Sequence, residues 1–165
     1  MQTGPLSPMS EKCPKCPVLP LCPVQLSRYF QKGVGFLAKD WKLQAWLFLL
    51  ARKIDKIEQP ADWLISARNH WHEQATLSIN GCIAPELGRF LKTDEQVQFV
   101  KNISQEIYDD FTKMGNAVPK DFLNELCGCV PPSHYPNDVE TEHFLKFGRA
   151  FIKLLAGEMR DNENA

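Results

Sequence analysis

The sequence has no apolar run long enough to cross a membrane. Its most apolar stretch, Ala45-Trp-Leu-Phe-Leu-Leu-Ala51, lies between Lys42 and Arg52-Lys53, far short of the roughly 20 residues a spanning helix needs. It reads as a core helix. There is no surplus of basic residues either. Lys and Arg number 19 against 20 Asp and Glu, a net charge of −1, so nucleic acid is not indicated as a partner. The opening Met1–Pro14 lacks a charged segment followed by an apolar core, so no export signal is expected and the reducing cytoplasm is the expected compartment. Stable disulfides are not expected there, and clustered cysteines point instead to metal or redox chemistry.

Complete catalytic signatures are missing too. Gly33-Val-Gly35 lacks the third glycine and the flanking strand of a phosphate loop. His70 and His72 in "NHWHE" stand two apart, so on a helix they face different directions and do not form the H-E-x-x-H zinc motif. Glu140-Thr-Glu-His143 is a single E-x-x-H, where a diiron bundle needs two copies and further glutamates. Cys82, ahead of a short helix, reads as a buried small residue rather than a reactive thiol. No Ser-His-Asp or Cys-His set assembles. No segment alternates apolar and polar residues as a half-buried strand does, and no internal repeat is found.

What is present is the pattern of an all-α protein. The chain has 165 residues, 44% hydrophobic and 24% charged, enough for one domain with a real core. A short first helix is expected over 24–30, before Gly33 and Gly35. A strong helix follows Asp40, a candidate N-cap, with Leu43, Trp46 or Leu47, Leu50, Ile54 and Ile57 at helical spacing. Pro60 opens the next, with Leu64, Ala67, Trp71 and Ala75 on one stripe. Asn80-Gly81 is a turn signal and 85–91 a short helix. Thr93-Asp-Glu-Gln96 is a capping box ahead of Val97, Val100, Ile103, Ile107, Phe111 and Met114. Pro119 starts a helix carrying Phe122, Leu123 and Leu126. Asn137-Asp-Val-Glu140 reads as a second capping box before Phe144, Phe147, Phe151 and Leu154 or Leu155. The expected architecture is a compact bundle or orthogonal pack of about five main helices. Residues 1–23 form a Pro/Cys-rich extended arm, 24–159 a single helical domain, and 160–165 a frayed tail.

The arm holds half of the chain's 12 prolines and the stretch Cys13-Pro-Lys-Cys16-Pro-Val-Leu-Pro-Leu-Cys22-Pro. Proline fixes φ and removes a backbone donor, so this segment is neither helix nor central strand. C-x2-C lets two thiolates turn to one point, and the third reaches it from the next bend. Thiolates are soft ligands suited to iron–sulfur clusters or zinc. Lys15 beside them favours the deprotonated form. A fourth ligand must come from elsewhere. Cys127 or Cys129 in "LCGCVPP" is the natural source, with Cys82, His70, His72, His134 and His143 as the other possibilities.

C-x2-C-x5-C with a remote fourth cysteine resembles the N-terminal cluster-binding arm of the Fnr-type oxygen-sensing regulators. The same spacing resembles part of the auxiliary-cluster segment of radical-SAM maturases of the SPASM type. Both resemblances imply a four-iron (4Fe–4S) cluster held by Cys13, Cys16 and Cys22. They extend over residues 13–23 alone. The β-rich barrel and helix-turn-helix of the first family are not found, and Pro23-Val-Gln-Leu replaces the Gly-Gly-x-Cys continuation of the second.

Two functional readings follow. The first is a small non-enzymatic iron–sulfur protein acting in redox sensing, electron transfer or as an accessory factor to another protein. The second is a helical interaction module (adaptor, inhibitor or immunity-type) with structural zinc or no metal. Arg52, Lys53 and Lys56 give one helix a basic end that hints at an acidic partner. The four tryptophans fall on two consecutive helices and read as core, with Trp41 or Trp46 left at a surface. A third reading, an enzyme with a pocket between these helices, requires His70 or His72 in a concave site beside a carboxylate.

Overall fold

The computed structural model describes residues 26–31, 34–76, 83–126, 135–159 and 163–164. The fold is all-α. Six helices carry it among the described residues: α1 (Asp40–Ile54), α2 (Asp62–Thr76), α3 (Leu87–Phe90), α4 (Asp94–Lys113), α5 (Lys120–Leu126) and α6 (Thr141–Ala156). None is long and apolar enough to cross a membrane. Two helix pairs dominate, α1 on α2 and α4 on α6, and α1 also touches α4, α5 and α6.

This central position explains the composition of α1. Leu43, Ala45, Trp46, Leu47, Phe48, Leu50, Ala51 and Ile54 are all buried, so the helix is enclosed on most of its circumference. The choice between Trp46 and Leu47 for the inward stripe dissolves, because both are 0% exposed. Trp46 packs on Phe147 (centroids 5.5 Å), Phe151 (6.0 Å) and Phe111 (6.2 Å), and Phe111 stacks on Phe144 at 4.5 Å. Each buried aromatic or branched side chain contributes about 1.5–3 kcal/mol from apolar burial. The stripes expected on α2 and α6 are buried as read, with Leu154 and Leu155 both inside. On α4 the middle four expected positions are buried, while Val97 and Met114 at its ends are half-buried.

Termini follow local chemistry. Thr93 and Gln96 form the reciprocal capping box that starts α4. Gly115, at φ 80°, follows its end. Gly157, at φ 70°, closes α6. Its N–H donates to Leu154 O and that of Glu158 to Lys153 O, satisfying carbonyls the helix leaves open. Two caps differ from the sequence reading. Asp40 is the first residue of α1 rather than its cap; Lys39 holds that position and offers no side-chain acceptor. The second capping box is not formed. Asp138 accepts from the backbone N–H of Lys120 and so serves the start of α5, while Val139–Glu140 (β4) pairs with Ala117–Val118 (β3).

The region 24–30 is the larger correction. Leu26–Gln31 (β1) and Val34–Lys39 (β2) are antiparallel strands in register from Leu26↔Lys39 to Gln31↔Val34. The runs do not alternate strictly, which hid them. The signal was the two-residue link Lys32-Gly33 between segments rich in Tyr, Phe and Val. Glu163–Asn164 (β5), in the tail expected to fray, pairs in parallel with Phe36 and Leu37 of β2.

Candidate functional site

The C-terminal end of α1 carries Leu49 on one face and Arg52 and Lys53 on the next turn, with Lys56 just beyond. α4 brings Ile107, Asp110 and Phe111 opposite, Met114 follows α4, and α5 adds Phe122. Together these residues enclose a half-open cleft of about 360 Å³. Its floor is apolar because Ile107 and Phe111 belong to the core, and Leu49, Met114 and Phe122 are half-buried against it. Its rim is basic because the last turn of α1 favours cations, whose charge opposes the negative helix end.

The three cations have different duties. Lys53 Nζ donates to Asp110 Oδ2 at 2.8 Å and to Glu106 Oε2 at 3.3 Å. The hydrogen bond to Asp110 raises the Lys53 pKa, and the same bond lowers that of Asp110. This pair ties α1 to α4 and holds one wall. The side chains of Arg52 and Lys56 are exposed and, among the described residues, make no hydrogen bond or ion pair. The cleft therefore offers an apolar seat under two positive charges that are unpaired among the described residues. Sequence reading caught the basic end of α1. It missed the floor, because Leu49, Met114 and Phe122 come from three elements and only tertiary packing brings them together.

The proposed thiolate ligands lie elsewhere. Cys13, Cys16, Cys22, Cys82, Cys127 and Cys129 all fall outside the described residues, as does His134. Among the described residues no group of three His, Cys, Asp or Glu side chains is placed to hold a metal ion.

The remaining histidines have local roles. His70 Nε2 is 2.9 Å from Ala84 O, which makes that nitrogen the N–H donor, and 3.6 Å from Glu86 Oε2. Beside it Trp71 Nε1 donates to Pro85 O, and buried Gln74 accepts from the Ala84 N–H. α2 thus latches the segment Ile83–Glu86. Glu86, at φ 48°, turns the chain there and pairs with Arg89. His72 is exposed, edge-on to Phe48. The two histidines do not converge, and the α1–α2 contact is filled by Leu64, Ala67 and Trp71. His70 is thus half-buried beside one carboxylate, and His72 stands apart from it on the exposed face. Of the tryptophans, Trp46 and Trp71 are fully buried, and Trp41 is half-buried against Tyr135, His143 and Phe144. No known family model matches the chain, and neither curated proteins nor solved structures show a match to it.

Proposed function

We propose that this chain is a helical interaction protein whose α1–α4–α5 cleft docks an acidic segment of another protein, anchored by one large apolar side chain. One observation carries the reading: an apolar floor roofed by Arg52 and Lys56, two exposed cations that form no ion pair among the described residues. A cleft at the lower end of the usual ligand size, about 300–1,000 Å³, suits one anchoring side chain. Flanking Asp or Glu residues on the partner would meet the rim. Such rim charges steer encounter and select the partner, while the buried anchor supplies most of the affinity.

The test uses the full chain and two labelled peptides of equal length, each with a central Phe. In one the Phe is flanked by Glu, in the other by Lys. The acidic peptide is expected to bind, to shift the Met114 methyl resonance, and to lose binding to the Arg52→Glu/Lys56→Glu variant. Equal binding of both peptides, or binding that ignores the double variant, sinks the proposal. Binding of free acidic amino acids as tightly as the peptide would assign the cleft to a small ligand instead.

The thiolate reading stands beside this one as a proposal supported by the Cys13-Cys16-Cys22 spacing. It places an iron–sulfur cluster, with zinc as the alternative, on those three cysteines and on Cys127 or Cys129, in a cytoplasmic protein. Iron, sulfide and zinc analysis of protein purified without oxygen tests it. A colourless, metal-free protein that is unaffected by Cys16→Ser rejects it.

A further inference from the structure

Phe99 on α4 is 36% exposed, one of two large apolar side chains left open to solvent among the described residues. Its ring meets that of Trp63, at the start of α2, edge to face with centroids 6.1 Å apart. Trp63 is half-buried against the core and supports it. The residues three and four positions from Phe99 share its face of the helix. They are Glu95, Gln96, Asn102 and Ile103, which include an acid and no base. Asp62 adds a second carboxylate next to Trp63. Both acids are exposed and, among the described residues, form no ion pair.

This surface is the inverse of the α1–α4–α5 cleft. There an apolar floor lies under Arg52 and Lys56, two exposed bases that are unpaired among the described residues. Here an aromatic knob stands beside two exposed acids. The charges match in sign and number, and one phenyl ring fits a cleft of about 360 Å³. The two surfaces cannot meet within one molecule. Phe99 and the floor residue Phe111 lie on the same helix, about 18 Å apart along its axis at 1.5 Å per residue.

We propose that the occupant of the cleft is a second copy of this chain, which inserts Phe99 and sets Glu95 and Asp62 against the Arg52–Lys56 rim. The assignment rests on the reading of the cleft as a docking site and names its partner. Two different surfaces meet, so the contact is heterologous. Each bound molecule keeps one knob or one cleft open, and association runs head to tail unless a ring closes. The contact is small, so association is expected to be weak and dependent on concentration. Its ionic rim makes it weaker in high salt.

Sedimentation velocity of the full chain over a wide concentration range tests the proposal. The average mass should rise with concentration at low salt and fall back at high salt. Phe99→Ser and Arg52→Glu/Lys56→Glu alter exposed positions. Each should weaken association at least about tenfold, the scale of losing an interface anchor. Mixing the two variants is the decisive sample. Phe99→Ser keeps the cleft, and the double variant keeps the Phe99 face. Neither should associate alone, while the mixture should form a complex that stops at two chains. A mixture that stays monomeric when the wild type associates, or association that survives both variants, overturns the proposal. A wild type that is monomeric at every concentration yet binds the Glu-flanked peptide overturns the second copy as occupant and leaves the docking cleft in place. A wild type that neither associates nor binds that peptide overturns both.

Discussion

Replacing Gly148 with alanine tests the packing of the core directly. Helix propensity alone favours the change by about 1 kcal/mol. Packing opposes it. A Cβ at position 148 would lie 2.6 Å from Cη2 and 3.0 Å from Cζ3 of Trp46, and 3.0 Å from Cδ2 of Tyr108. Tyr108 is half-buried and can give. Trp46 cannot, because it is 0% exposed and held by Phe111, Phe147 and Phe151. Overpacking of this kind costs about 1–3 kcal/mol. Gly148→Ala should therefore be destabilising on balance, by up to about 2 kcal/mol, or roughly 2–4 °C of melting temperature per kcal/mol in a domain of this size. The sign should reverse in a Trp46→Phe background, since phenylalanine lacks the ring that carries Cη2 and Cζ3. That background is tolerable. Trp46→Phe leaves a void, but it also removes the Trp46 Nε1–H, which is buried without an acceptor among the described residues. Urea unfolding of the four proteins in this cycle gives the coupling. A Gly148→Ala protein more stable than wild type, or effects additive within about 0.5 kcal/mol, would refute the reasoning.

Three further outcomes are expected. Gln74→Ala should destabilise by about 1–3 kcal/mol, because the Ala84 N–H loses its buried acceptor, and hydrogen exchange at Ala84 should accelerate more than in α6. Thr93→Ala should cost about 1 kcal/mol through loss of the α4 capping box, read as a shift in urea midpoint with an unchanged slope. The Asp110 pKa is lowered by Lys53, so this pair stabilises above the unfolded carboxylate value of about 3.9 and its contribution disappears as pH falls through the lower folded value. Stability of wild type relative to Asp110→Asn, followed from pH 6 to 2, should shrink across that window, and the difference should be smaller in high salt because the carboxylate is half exposed.

Much of the fold was legible because long helices repeat their signal. Phe144, Phe147, Phe151 and Leu154 on α6, or Val100, Ile103, Ile107 and Phe111 on α4, state the period several times over. The errors fall where one residue has two possible employers. Asp138 and Glu140 have the spacing of a cap for α6, yet Asp138 serves Lys120, eighteen residues away in sequence. Asp40 is a good cap residue by type, but burial draws it into the helix. The β1–β2 hairpin depends on cross-strand pairing, which periodicity within either strand does not encode. The cleft was half legible: its charges are adjacent on α1, while its floor exists only after α1, α4 and α5 meet.

The two ends of α1 show why position matters more than charge count. The helix has Lys39 and Lys42 at its start and Arg52, Lys53 and Lys56 at its close, and a tally treats them alike. The closing group sits where the helix end is negative, and its one partly buried member, Lys53, is paired with Asp110. Arg52 and Lys56 stay exposed beside that pair, and on the proposed function they are the charges a partner would meet. The opening group sits where the helix end is positive, and burial together with the charges of Lys39 and Lys146 lowers the pKa of its buried member, Lys42. Its cost to folding falls when Lys42 is neutral, so wild-type stability relative to Lys42→Met should rise with pH from the lowered Lys42 value up to the unfolded lysine value of about 10.4. A difference that stays level across that pH range would refute the argument.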